Sequence, residues 1–109
     1  MATTYKVLGQ IAPSATTATT VYTVPAATEA VISSIVIANR DAGAATFRIA
    51  VRPLGATLAD EHYIAYNITV GASDSTVLTL GLTMEATDVL TAYASTATLT
   101  FNAYGSEIA

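Results

Sequence analysis

Turn-forming residues interrupt this chain about every 8–12 residues, and that spacing constrains its fold more than any other feature. The breaks fall at Pro13-Ser14, Pro25-Ala26, Asp41-Ala42-Gly43, Pro53-Leu54-Gly55, Gly71-Ala72-Ser73-Asp74, Glu85-Ala86-Thr87-Asp88 and Ser95-Thr96. Eight short segments lie between them: Thr4–Gln10, Thr19–Val24, Glu29–Asn39, Thr46–Arg52, His62–Val70, Thr76–Thr83, Val89–Ala94 and Thr98–Tyr104. They are rich in Thr, Val, Ile and Tyr, which suit a pleated sheet. No segment of 12 or more residues keeps a clean helical period. The sequence therefore predicts an all-β chain, a single antiparallel β-sandwich of about eight short strands, jelly-roll-like, with residues 1–109 forming one domain. The Thr/Ala-rich stretch Ala15–Thr20 reads as a loop.

Alternation assigns faces, because successive side chains of a strand point to opposite sides. Leu99, Phe101 and Ala103 share one side, opposite Thr98, Thr100 and Asn102. Phe47, Ile49 and Val51 oppose Arg48, Ala50 and Arg52. Ile64, Tyr66, Ile68 and Val70 oppose Tyr63, Ala65, Asn67 and Thr69. Such strands are half-buried, as in antiparallel sheets with one wet face. Glu29–Asn39 differs, with Val31, Ile35 and Ile37 on one side and Ile32, Val36 and Ala38 on the other. A strand apolar on both faces is either central in its sheet or covered by a partner.

Only 11% of the residues are charged, against about 25% in an average globular protein. Neutral hydroxyls or other subunits must then cover the surface that charges usually occupy. With four basic residues and a net charge of −4, the chain lacks the cations that neutralise nucleic-acid phosphates. It has no cysteine, which removes disulfides, zinc thiolates and thiol catalysis and fits folding in a reducing cytoplasm. The N-terminus lacks the charged-then-apolar layout of a signal peptide. The longest apolar stretch, Ala30 to Ala38, spans nine residues and contains Ser33 and Ser34, whereas a membrane helix needs about 20.

The chemistry-bearing residues are sparse. Asp60-Glu61-His62 holds the only histidine, but in a strand only Asp60 and His62 would project together, and zinc needs three or four ligands. A nucleophile needs a base oriented by a third group, and no Gly-x-Ser-x-Gly elbow or phosphate-cradling glycine loop is present. Asp74, Glu85 and Asp88 read as turn formers and solubilising charges, and Asn67-Ile-Thr69 matches a glycosylation sequon of a kind common by chance. The sequence predicts neither catalysis nor a cofactor nor a bound metal.

The arginines carry more information. Arg48 and Arg52 point to one face of one strand, and Arg40 lies in the turn before it. Arginine suits interfaces because its planar fork pairs carboxylates and its stem packs. This patch reads either as a contact for an acidic neighbour, such as Asp60 or Glu61 of a symmetry mate, or as an ordinary solvated strand face. Tyr63, Tyr66, Tyr93 and Tyr104 also fall in strands. They read as core residues with their hydroxyls reaching water, a sugar-stacking face being the alternative.

The runs Ser33-Ser-Ile-Val-Ile-Ala-Asn-Arg40, Ala45-Thr-Phe-Arg-Ile-Ala-Val-Arg-Pro53, His62-Tyr-Ile-Ala-Tyr66 and Leu99-Thr-Phe-Asn-Ala-Tyr-Gly-Ser-Glu107 resemble a group of small structural proteins of tailed-bacteriophage virions. The resemblance covers nearly the whole chain. It implies a stiff β-domain made in the host cytoplasm and repeated by symmetry in the virion, as capsid decoration (cement) or as a tail, baseplate or fibre component. The implied partners are the chain itself, as a symmetric homo-oligomer such as a trimer, and the major capsid protein or tail proteins; nucleic acid and membrane are not among them. A carbohydrate-binding β-sandwich is the alternative from another functional class.

Overall fold

A computed structural model describes residues 2–109. Its eight strands are β1 (Thr3–Ile11), β2 (Thr19–Thr23), β3 (Glu29–Asn39), β4 (Ala45–Arg52), β5 (Tyr63–Val70), β6 (Ser75–Met84), β7 (Val89–Ala94) and β8 (Leu99–Ile108). β1 pairs with β8, β2 with β7, β3 with β6 and β4 with β5, all antiparallel. β3–β8 and β4–β7 pairings join these ladders into two four-stranded sheets, ordered β1-β8-β3-β6 and β2-β7-β4-β5. Nested pairs that alternate between two facing sheets make a jelly roll, the predicted architecture.

The core is the layer between the sheets. Phe47 of β4 meets Phe101 of β8 edge to face, with centroids 6.1 Å apart and an interplanar angle of 74°. Ile49 and Leu90 continue this layer on one side, and Ile32, Ile35, Ile37, Leu99 and Ala103 on the other, all fully buried. The predicted inner faces of β4 and β8 hold. β3 is central, between β8 and β6, but its faces are not the predicted ones. A bulge at Ser33 breaks the register against β8, so that Ala30, Ile32, Ile35, Ile37 and Asn39 face inward and Val31 does not. One extra residue changes the phase of the alternation, and that is why both faces look apolar in the sequence.

β5 departs further from its predicted pattern. Of Ile64, Tyr66, Ile68 and Val70, only Val70 is buried; the others are 45%, 53% and 40% exposed. β5 is an edge strand, and two register shifts against β4 break its period of two. His62 does not begin this strand, because Asp60–His62 forms a 3-10 turn in which the His62 imidazole Nδ1 accepts the Ala59 N–H at 3.0 Å. β8 runs four residues beyond Tyr104, the predicted end. The extension runs through Gly105, which sits where β3 comes closest: a Cβ there would lie 1.9 Å from the Val31 carbonyl oxygen.

A buried polar side chain organises each end of the sandwich. Asn39 donates to the carbonyls of Gly43 (2.8 Å) and Gly71 (3.2 Å), while its Oδ1 accepts from the Asp41 N–H and the Thr98 hydroxyl, each at 3.1 Å. It thus joins the β3–β4, β5–β6 and β7–β8 connections. At the other end the Asp88 carboxylate accepts the N–H groups of Leu54 and Glu85, both at 2.9 Å. The Val24 N–H donates to the Asp88 carbonyl at 3.0 Å, bringing in the β2–β3 turn. Asp88 is thus the turn former the sequence suggests, and it serves three connections.

Replacing Phe101 by Ala is expected to lower stability by about 3–5 kcal/mol, since its ring fills the centre of the inter-sheet layer. Urea unfolding measures this, and a loss below about 1 kcal/mol would contradict the placement of β8.

Candidate functional site

A polar and aromatic cluster on the outer surface surrounds Arg48, and a bulge builds it. Phe47 pairs with Ile68 and Ile49 with Ala65, so two residues of β5, Tyr66 and Asn67, stand opposite Arg48 alone. Asn67 takes the left-handed conformation (φ 52°), which Asn tolerates better than most residues. Its Oδ1 accepts the Arg48 Nε–H at 2.8 Å. The guanidinium carbon lies 4.2 Å from the ring centroid of Tyr66 and 4.4 Å from that of Tyr93, the cross-strand partner of Arg48 on β7. Tyr63 braces Tyr66 edge to face at 5.0 Å. Two aromatic faces and one hydrogen bond therefore fix the guanidinium plane. Among the described residues its hydrogen bonds end at Asn67, leaving both Nη groups open.

The other candidate residues have different roles. The Arg52 Nε donates to the Thr91 hydroxyl at 3.1 Å, and its Nη1 to the carbonyls of Gly55 (3.3 Å) and Ala56 (2.9 Å). This arginine clamps the β4–β5 connection over the sheet. Arg40 caps the β7–β8 turn, its Nη2 donating to the Ala97 carbonyl at 3.1 Å. Asp60 and Glu61 are exposed in the 3-10 turn leading into β5, and among the described residues neither carboxylate has a hydrogen-bond partner. Within the chain the three arginines thus meet three different sets of groups.

The tyrosines correct the core reading. Tyr63, Tyr93 and Tyr104 are only partly buried and Tyr66 is exposed. Tyr22, which sequence reasoning left aside, is the buried one. Its hydroxyl donates to Glu107 Oε2 at 2.6 Å, and the Lys6 ammonium reaches Glu107 Oε1 at 3.0 Å, the one ion pair among the described residues. The pair on β2 and β8 fastens the two sheets together. Burial raises the Tyr22 phenol far above its ordinary range, with Glu107 adding to the effect, so Tyr22 remains a donor. The Tyr22 hydrogen bond, then the Lys6 one, hold the Glu107 carboxyl below the usual carboxylate range.

The outer face of the β1-β8-β3-β6 sheet has the opposite character. Pairing places Tyr5, Ser106, Val31 and Thr83 in one row across the four strands. The next rows are Val7, Tyr104, Ser34 and Thr79, then Gln10, Asn102, Val36 and Val77. None of these side chains is charged, and Tyr5 and Val77 are 84% and 57% exposed at the edges. The alternation in β8 pointed to part of this face; the bulges in β1 and β3 hid the rest.

Arg52→Ala is expected to cost about 1.5–3 kcal/mol in urea unfolding, because it releases charge-assisted bonds to a connection. Arg48→Ala is expected to cost no more than about 1 kcal/mol, the range of exposed cation–π contacts. The reverse ranking would mean that the two arginines have exchanged roles. For Glu107, a lowered folded-state pKa means that the stabilisation is complete above the usual carboxylate range and lost as pH falls through the lowered value. The stability difference between wild type and Glu107→Gln should therefore be flat from about pH 5 to 8 and shrink below about pH 4. A difference that persists unchanged in acid would remove the carboxylate from this account.

Against known proteins, the chain matches no family model and no curated protein.

Proposed function

We propose that this chain is a structural subunit of a tailed-bacteriophage particle, acting as a capsid decoration or cement protein through repeated protein–protein contacts. The observation that carries this reading is the outer face of the β1-β8-β3-β6 sheet, where three successive rows across four strands hold no charged residue. A neutral surface of Val, Tyr, Ser, Thr and amide side chains suits burial against a shell better than lasting exposure to water. At about 25 cal/mol per Å² of apolar area, modest contacts repeated over a shell add up to substantial stabilisation. The motif resemblance and the jelly roll, a fold also used by viral capsid domains, support the reading by analogy. Arg48 fills the space between Tyr66 and Tyr93, so these rings offer no shared stacking platform for a sugar, which counts against the carbohydrate-binding alternative.

Quantitative mass spectrometry of purified virions tests the proposal. Abundance comparable to that of the major capsid protein is the expected result. A few to a few dozen copies would move the subunit to the tail, baseplate or fibre, and its absence from virions would overturn the reading.

A further inference from the structure

Arg48 is a cation prepared for a partner that its own chain does not provide. Of the four basic residues, Lys6 is paired with Glu107, Arg52 is spent on two carbonyls and a hydroxyl, and Arg40 is bonded to the Ala97 carbonyl. Arg48 alone is held by its Nε and by two ring faces while its Nη fork stays open among the described residues. Fixing the plane beforehand removes much of the side-chain entropy that a new ion pair would otherwise cost. The planar fork matches a carboxylate in bidentate geometry. Around it stand the exposed ring of Tyr66 and the half-buried rings of Tyr63 and Tyr93, so the charge sits within aromatic area, as in interface hot spots.

The acids of the chain can be sorted in the same way. Glu107 is paired, and the carboxylates of Asp41, Asp74 and Asp88 accept backbone N–H groups in turns. Glu29, Asp60, Glu61 and Glu85 have no such bond among the described residues. Only Asp60 and Glu61 are adjacent in sequence, and they are exposed at the start of the connection into β5. Neither reaches Arg48 within its own chain, where the one ion pair among the described residues is Lys6–Glu107.

We propose that Arg48, held between Tyr66 and Tyr93, receives a carboxylate of Asp60 or Glu61 from a second copy of this chain. The contact is made twice and reciprocally when a two-fold axis relates the copies, or once per copy in a head-to-tail ring when the rotation between neighbours closes. It deepens the assembly reading by naming the self-contact, but it is tested in solution and not by virion composition.

Sedimentation equilibrium of the purified chain reads self-association directly. Wild type is expected to form a discrete oligomer that weakens as salt rises. Arg48→Glu should raise the dissociation constant at least about tenfold, as loss of one partner of an interfacial charge pair does. The double variant Asp60→Arg, Glu61→Arg should do the same, and combining it with Arg48→Glu should restore association. Circular dichroism establishes that each variant is folded; should Arg48→Glu not fold, Arg48→Gln carries the test with the same expected loss. A monomeric wild type, an Arg48 variant that associates normally, or a charge swap without rescue would each overturn the inference. A monomer in solution that is nonetheless abundant in virions would overturn this contact and leave the virion reading standing.

Discussion

The inner layer of this sandwich has to be continuous although several of its strands, β2, β3 and β5 among them, do not keep one phase for their whole length. Ile32 and Ile35 face the same core only because Ser33 is bulged between them. Val21 and Tyr22, neighbours in sequence, are both buried because β2 shifts register against β7 between Thr20 and Tyr22. Each bulge adds one residue and exchanges the faces that follow. Without its bulge, β3 would turn the apolar side of about half its length to water. The uncharged rows on the outer face depend on this rephasing.

The same device makes the chemistry of the other sheet. A regular β5 would set one residue opposite Arg48; the bulge sets two, one to stack and one to hydrogen-bond. An arginine that would otherwise sweep through many rotamers is thereby confined. Its neighbour Arg52, two positions along the same strand face, is confined by backbone carbonyls and serves the fold. Equal residue type, strand and face have led to different roles because the facing strand and connection differ.

Legibility in the sequence follows the same boundary. Where a strand is regular, as in Phe47–Val51 or Leu99–Ala103, alternation identified the inner face, and turn residues placed β3 and β7 correctly from end to end. Where a bulge intervenes, in β3 and β5, the alternation misassigned faces, since a single extra residue has no compositional mark. Arg48 stood out by residue type, but its tyrosine walls did not, because Tyr66 and Tyr93 lie on strands whose adjacency to β4 depends on topology. Asn39 reads as an unremarkable strand end; only three converging connections make it a hub. The close approach that requires Gly105 comes from a strand some seventy residues away in sequence, where no local pattern could show it.

The nesting of the strand pairs also orders the entropic cost of folding. Ten residues separate β4 from β5, whereas 35 separate β3 from β6, 65 separate β2 from β7 and 87 separate β1 from β8. Closed independently, the outer ladders would each have to hold a long free loop. Closed from the inside outward, each needs only the short connections flanking a pair already formed. The route of least loop-closure entropy therefore begins at β4–β5, under the Arg52 clamp, and ends when the two terminal strands zip together along the edge of the finished sandwich.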